Sequence, residues 1–425
     1  HVRGIRVLDE RTIEFTLGEP DQTFLNSMAM TFAYPVSRAH YDHPTVDLRT
    51  TPIGAGPFTL DPDDWERGVR MILKRNEDYW NAPLPYPDRL LYQENLTRDV
   101  AIMRFRNGDL DAAHRFSPAD YIFIRNAPAW QPYLEEYPKA TLWGIGMNTQ
   151  MAPFDDVHVR RAVASAVDVQ AWRRQRSNRL LPTGQPLPPG FLGYDPDLPG
   201  AHHHDLDRAR REMAEAGHAV RRDGDRFVAA GLENEEIEFW VGEGDTGRQY
   251  GEMLQADLAK IGLRVLIKQV SFPVYLEETG KPDRVRLFLA GWNMDFPDPS
   301  NFLDVLFNSK SISEENSSNR TFYSNPEVDA LLDAARIEPD RDRRGEMYRE
   351  AQIQIVADAP WAFMWNDLML EAWQPYVRGY RPDLVWDLNY RNLWLDLPKR
   401  RMAERYGVFR RSSQLAALFP FGGLH

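Results

Sequence analysis

The segment that most constrains this chain is 287–303, LFLAGWNMDFPDPSNFL. Residues 285–290 have the length and boundaries of a buried strand, although periodicity alone does not separate that from a short helix. At Gly291 the character changes. Trp292, Asp295, Phe296 and Asp298 follow in quick succession, and Pro297 and Pro299 forbid regular helix or central-strand pairing. A core strand therefore opens into a Pro-rich loop carrying an indole, carboxylates and free backbone groups, the kind of place where ligands are met.

Two readings of that loop stay open at this level. In one, Asp295 and Asp298 are turn formers beside proline and Trp292 belongs to the core. In the other, a carboxylate next to an aromatic wall receives a ligand cation through charge-assisted hydrogen bonds, strengthened by partial loss of water.

At 425 residues the chain exceeds one simple core, so two lobes are expected. A 43% hydrophobic and 27% charged composition is that of a globular protein, and 12 Trp, 17 Tyr and 21 Phe suit an aromatic-lined cleft or a large core equally. The net charge of −12 argues against nucleic acid or an anionic membrane as the main partner. Cysteine is absent, which removes disulfides, thiolate metal sites and Cys catalysis. No apolar run approaches the ~20 residues that span a bilayer. The sequence starts at His1 without an initiator Met or a signal peptide, and this beginning reads as cut.

Along the chain, 2–17 reads as two short strands about a turn. Residues 97–107 read as a helix with Val100, Met103 and Phe105 toward one side, stopped by Gly108. Residues 140–148 alternate as a strand. In the helix that follows, Asp155 or Asp156 can cap, Val159, Val163 and Val167 share a face, and the pair Arg160-Arg161 reads as a solvated face. Residues 180–199 are Pro/Gly-rich and read as an ordered loop. His202-His203-His204-Asp205 is the one histidine cluster; adjacent histidines cannot all face one metal, so it reads as a solvated helix entry and no metal is expected. Strand 237–241, helix 248–262 and strand 263–270 form a β-α-β unit with a parallel element. Gly54 and Gly56 serve a tight turn rather than phosphate binding, because no P-loop lysine or helix start follows.

Several stretches together carry a resemblance. Ala290-Gly291-Trp292-Asn293-Met294-Asp295, then Pro297-Asp298-Pro299-Ser300-Asn301-Phe302-Leu303, resembles the ligand-anchoring segment of the family 5 extracellular solute-binding proteins, which serve ABC importers of oligopeptides and dipeptides. Asn148 through Pro153-Phe154-Asp155 to Arg160-Arg161-Ala162 is similar to that family's crossover between lobes. Asn76–Asn81 (NEDYWN), the turn 54–58, the strand 360–365 (PWAFMW) and Tyr376-Val377-Arg378-Gly379-Tyr380 match further family signatures. Tyr79 and Trp80 read as packing residues within them.

The resemblance covers roughly residues 2–398 and implies an α/β, two-lobed periplasmic-binding-protein-like fold (type II, cluster C-like), with the first part of lobe I missing. It implies lobe I over 1–146, lobe II over 147–365 with an anchoring loop at 290–301, a return to lobe I over 366–398 and a tail over 399–425. Asp295 is expected to pair with the α-amino group of a peptide, the backbone at Gly291, Trp292 and Asn293 to add the peptide as a strand, and Trp365 and Asn366 to lie near the same cleft. The partners implied are a peptide or similar small solute and an ABC importer permease. The implied location is periplasmic or extracellular, and the expected state is a monomer whose lobes close on the ligand. No catalytic residue, cofactor, metal or nucleic acid is expected. The competing classes are a hydrolase acting on a peptide or glycan, for which no nucleophile elbow, zinc motif or His-Asp-Ser ordering is present, and an interaction or sensor module derived from such a receptor.

Overall fold

The computed structural model describes residues 2–44, 47, 50–114, 116–381, 390–398, 416 and 417. The chain divides into two compact units, one made of His1–Phe32 and Ala140–Asp367, the other of Ala33–Lys139 and Leu368–His425. The division thus falls at 32/33, 139/140 and 367/368, against an expectation of 146/147 and 365/366. It differs at the start of the chain, where 1–32 joins Ala140–Asp367 instead of lobe I. The physical reason is a set of bonds that sequence spacing does not reveal. Gln22 N donates to Arg336 O at 3.0 Å, and the Arg336 guanidinium holds the Asp21 carboxylate at 2.8 Å. Most of the expected tail, 399–425, lies outside the described residues.

In the first unit the sheet runs Arg264–Val270, Glu236–Gly242, Leu287–Asn293, Thr141–Met147, Trp361–Trp373, and Leu180–Pro182 also pairs with the last of these. Glu236–Gly242 and Arg264–Val270 are parallel in register, with helix Asp245–Ala259 between them, as the β-α-β reading requires. That helix buries Leu254 and Leu258, and Ile261 just beyond it, against a core shared with Ile145, Phe239 and Leu287. Burying such side chains is worth roughly 1.5–3 kcal/mol each before entropy is counted. Leu180–Pro182, read as loop, is a short strand because Trp365, Asn366 and Asp367 offer it a ladder.

Helix Val157–Ala166 starts at Asp156, whose Oδ1 accepts from His158 N at 2.7 Å. Val159, Val163 and Val167 share the buried side. The solvated reading of the arginine pair fails at Arg160. Its side chain is buried and donates to the carbonyls of Phe154, Asp155 and Asp358, so the cation closes a chain crossing. Arg161 is half-buried and donates to Ala357 O. The histidine run also divides: His203 and His204 are exposed, whereas His202 turns inward. His202 Nε2 lies 2.9 Å from Val356 O, its ring stacks on Phe363, and burial pushes its imidazole down to about 4.

The second unit contains the antiparallel strands Phe58–Glu66, Arg70–Arg75 and Arg89–Gln93, with Ala416–Ala417 parallel to the third. Helix Arg98–Arg106 is capped by Thr97 Oγ1 and ended by Gly108 at φ 80°. Its inward face is Ala101, Ile102 and Phe105; Val100 and Met103, expected on that side, are exposed. Tyr79 is packed as read, but Trp80 is 76% exposed. Leu134–Pro138 and Ala112–Ala113 pair with the later residues of Trp361–Trp373, over a core of Phe105, Leu110, Tyr121 and Leu370.

Candidate ligand-binding site

The strand Leu287–Asn293 does not stop at Gly291, where the sequence pattern breaks. It continues antiparallel to Thr141–Met147 through Gly291↔Trp143, Trp292↔Leu142 and Asn293↔Thr141. Glycine is needed there for space: a Cβ on Gly291 would come within 2.5 Å of the Trp143 ring.

The phase of the ladder follows from two flanking bonds, Asn148 N to Arg286 O at 2.9 Å and Met294 N to Ala140 O at 3.0 Å. Antiparallel pairs alternate, so Phe288, Ala290 and Trp292 bond toward Thr141–Met147. Leu287, Leu289, Gly291 and Asn293 therefore turn their N–H and C=O groups to the opposite edge. On that edge the pairing with Glu236–Gly242 covers Leu287 and Phe288 only, and Tyr275 Oη donates to Leu289 O at 2.8 Å. Burial raises the Tyr275 phenol above its ordinary range, which keeps it a neutral donor. Beyond Leu289 the edge has no strand partner among the described residues.

The two carboxylates of the loop have different surroundings. Asp298 is 4% exposed, both its oxygens lie 2.8 Å from Arg344 Nη2, and Oδ1 accepts from Ser300 N at 3.0 Å. Arg344 is buried as well and also donates to Ala335 O. Asp298 is thus committed to the fold, which is the turn reading. Asp295 is exposed, and its backbone N donates to Asn301 Oδ1 at 2.8 Å. The same Asn301 oxygen accepts from Trp292 Nε1 at 3.2 Å. Helix Ser300–Phe307 buries Phe302, Leu303, Leu306 and Phe307, which fixes buried Asn301 under the loop. One amide therefore holds the indole and the carboxylate side by side. Asp295 is thus exposed beside the Trp292 indole.

Trp365 and Asn366 are 1% and 0% exposed. Both side chains are buried beneath the strand pairing. Asn366 Nδ2 donates to Thr141 O, on the residue opposite Asn293. Trp365 stacks on Trp143 at 6.0 Å, and the two indole N–H groups donate to the two oxygens of Asp367 at 3.3 and 2.9 Å. Trp143, half-buried over Gly291, is a neighbour of these residues that the sequence reading did not single out. The available signal was a lone tryptophan between Leu142 and Gly144 in one strand, opposite a glycine in another.

An α/β unit with a free strand edge beside an exposed carboxylate is a binding scaffold, and its architecture is that of the periplasmic peptide-binding proteins. A clavulanic acid biosynthesis oligopeptide binding protein superposes with a TM-score of 0.79 at 25% identity, over 92% of this chain and 72% of that one. The periplasmic binding protein DppA from Helicobacter pylori in complex with the peptide STSA superposes with a TM-score of 0.76 at 23% identity, over 93% and 74% of the two chains. The profile of the bacterial extracellular solute-binding proteins, family 5, matches residues 1–314, and the chain belongs to that family.

Among curated relatives, di/tripeptide-binding protein 2 of Pseudomonas aeruginosa is 29% identical over 387 residues, 89% of this chain and 69% of that protein. Heme-binding protein A of Haemophilus influenzae is 27% identical over 392 residues, 89% and 67% of the two. The dipeptide-binding protein of Escherichia coli is 26% identical over 406 residues, 93% and 72% of the two.

Proposed function

We propose that this protein is the monomeric receptor of an ABC importer, outside the cytoplasm, that captures a short peptide or similar solute with a free amino group and passes it to a permease without chemical change. The peptide adds as a strand to the edge at Gly291 and Asn293, and Asp295 receives its α-ammonium group. Trp292 and Trp143 flank that position. Main-chain bonding is blind to side-chain identity, so such a site accepts many sequences.

The observation that carries this reading is the alternation of the ladder, which turns two consecutive sets of backbone groups to an unpaired edge just before an exposed carboxylate. The di- and tripeptide-binding relatives support the ligand class.

Calorimetry with a free dipeptide and its N-acetylated form is the test. The free form is expected to bind more tightly by ~1.5–3 kcal/mol, the range for hydrogen bonds to a charged group. Asp295→Ala should remove that difference. Equal affinity for both forms in the unaltered protein, or recovery of hydrolysed dipeptide, would overturn the proposal.

A further inference from the structure

The free edge of the strand Leu287–Asn293 has two unlike ends. One leads to the exposed Asp295. The other is closed at Leu289 by two bonds. Only odd-numbered residues face this side, so the bridge between Trp240 and Phe288 is made by the Leu289 N–H on Trp240 O. Leu289 O in turn accepts from Tyr275 Oη at 2.8 Å. Gly291 and Asn293 lie between the two ends, each with an N–H and a C=O that no strand takes up among the described residues.

Tyr275 is fixed in its position. It stands on helix Phe272–Thr279, with its ring stacked on Phe272 and edge-on to Phe288, at 6.4 and 6.3 Å between centroids. Arg320 Nη1 anchors the end of that helix, donating to Leu276 O and to Thr279 Oγ1 at 2.7 Å each. A hydroxyl held in this way occupies the acceptor that a further rung of an added strand would need.

We propose that Tyr275 is the length stop of the strand edge, so that a bound peptide lays three residues on the ladder and residues beyond the third add no rung. This rests on the strand-addition reading above and names the peptide length that the edge selects.

The register follows from the two ends. A peptide whose ammonium group reaches Asp295 runs antiparallel to Leu287–Asn293, because only then does its first nitrogen point past Asn293. Antiparallel partners alternate between pairs that exchange both bonds and pairs that exchange none. Residue one stands opposite Asn293 and exchanges both. Residue two stands opposite Trp292, whose backbone groups are spent on Leu142, and makes none. Residue three stands opposite Gly291 and exchanges both. Residue four, opposite Ala290, again makes none. Residue five would stand opposite Leu289, where the N–H is spent on Trp240 and the C=O on Tyr275.

Calorimetry with dialanine through pentaalanine is the test, together with two trialanines carrying a single N-methyl group. In the unaltered chain affinity should rise about threefold to tenfold from dialanine to trialanine, the range for an ordinary net hydrogen bond, and then stay level to pentaalanine. N-methylation at residue three removes the donor to Gly291 O and should weaken binding about tenfold or more. N-methylation at residue two, whose N–H points away from the strand, should leave affinity as it is for trialanine. Tyr275→Ala opens Leu289 O to residue five, and pentaalanine should then bind about threefold or more tightly than trialanine. A continued gain through pentaalanine in the unaltered chain, equal losses from the two N-methyl groups, or a series that still levels off at three residues in Tyr275→Ala would each overturn the length stop while leaving strand addition standing. Failure of every peptide in the series to bind would overturn strand addition itself, and the stop with it.

Discussion

At residue 298 the loop turns its carboxylate inward onto Arg344; three residues earlier the same loop leaves a carboxylate exposed above Asn301. Composition does not distinguish the two, since both are aspartates beside proline or phenylalanine. Their surroundings do. The inward pair, with the Asn301 amide, ties down the loop that carries Asp295 and Trp292. In the proposed site, preorganisation of this kind lowers the ordering cost of binding. The contrast shows that a loop is held by committing one charge to the fold while its neighbour stays exposed, touched only by the Asn301 amide at 3.4 Å.

That contrast can be broken most directly at Asp298. Asp298→Ala leaves the buried Arg344 guanidinium without its partner and should cost ~3–5 kcal/mol of stability in urea denaturation. A loss under ~1 kcal/mol would mean that the inward carboxylate is not what holds the loop. Next in size is Gly291→Ala, where the new methyl meets the Trp143 ring; overpacking of this kind costs ~1–3 kcal/mol. Adding Trp143→Ala to that variant should cost less than the two changes summed, because removing the ring relieves the clash. Strict additivity would show that the two residues do not meet. The smallest effect is expected at Asp295. Asp295→Ala should move stability by no more than ~0.5 kcal/mol, since an exposed side chain away from the core carries little of the fold. A loss as large as that of Asp298→Ala would erase the distinction between the two carboxylates.

Local rules made much of the fold legible. The cap at Asp155 or Asp156, which falls on Asp156, the valine face at 159, 163 and 167, and the parallel β-α-β unit all follow from bonding within a few residues or from helical period. What escaped is nonlocal. Arg160 is buried because the carbonyl of Asp358, far along the chain, comes to meet it. The strand runs on through Trp292 and Asn293 because Leu142 and Thr141 lie opposite, a pairing that no break in alternation announces. The approach of Trp143 to Gly291 was hidden for the same reason, since the glycine lies in another strand. Asp295 could be singled out from its motif, but its difference from Asp298 required knowing where Arg344 lies.

The sheet of the first unit has one further consequence, for the order in which the chain becomes structured. Its strand Thr141–Met147 bonds on one side to Leu287–Asn293 and on the other to Trp361–Trp373, both drawn from much later in the sequence. No hairpin can zip this arrangement together from neighbours. Two long loops must close before either ladder gains anything, which places such topologies among the slow folders. A polypeptide with this topology stays a pliable thread for longer before its central strand finds both partners and the structure locks.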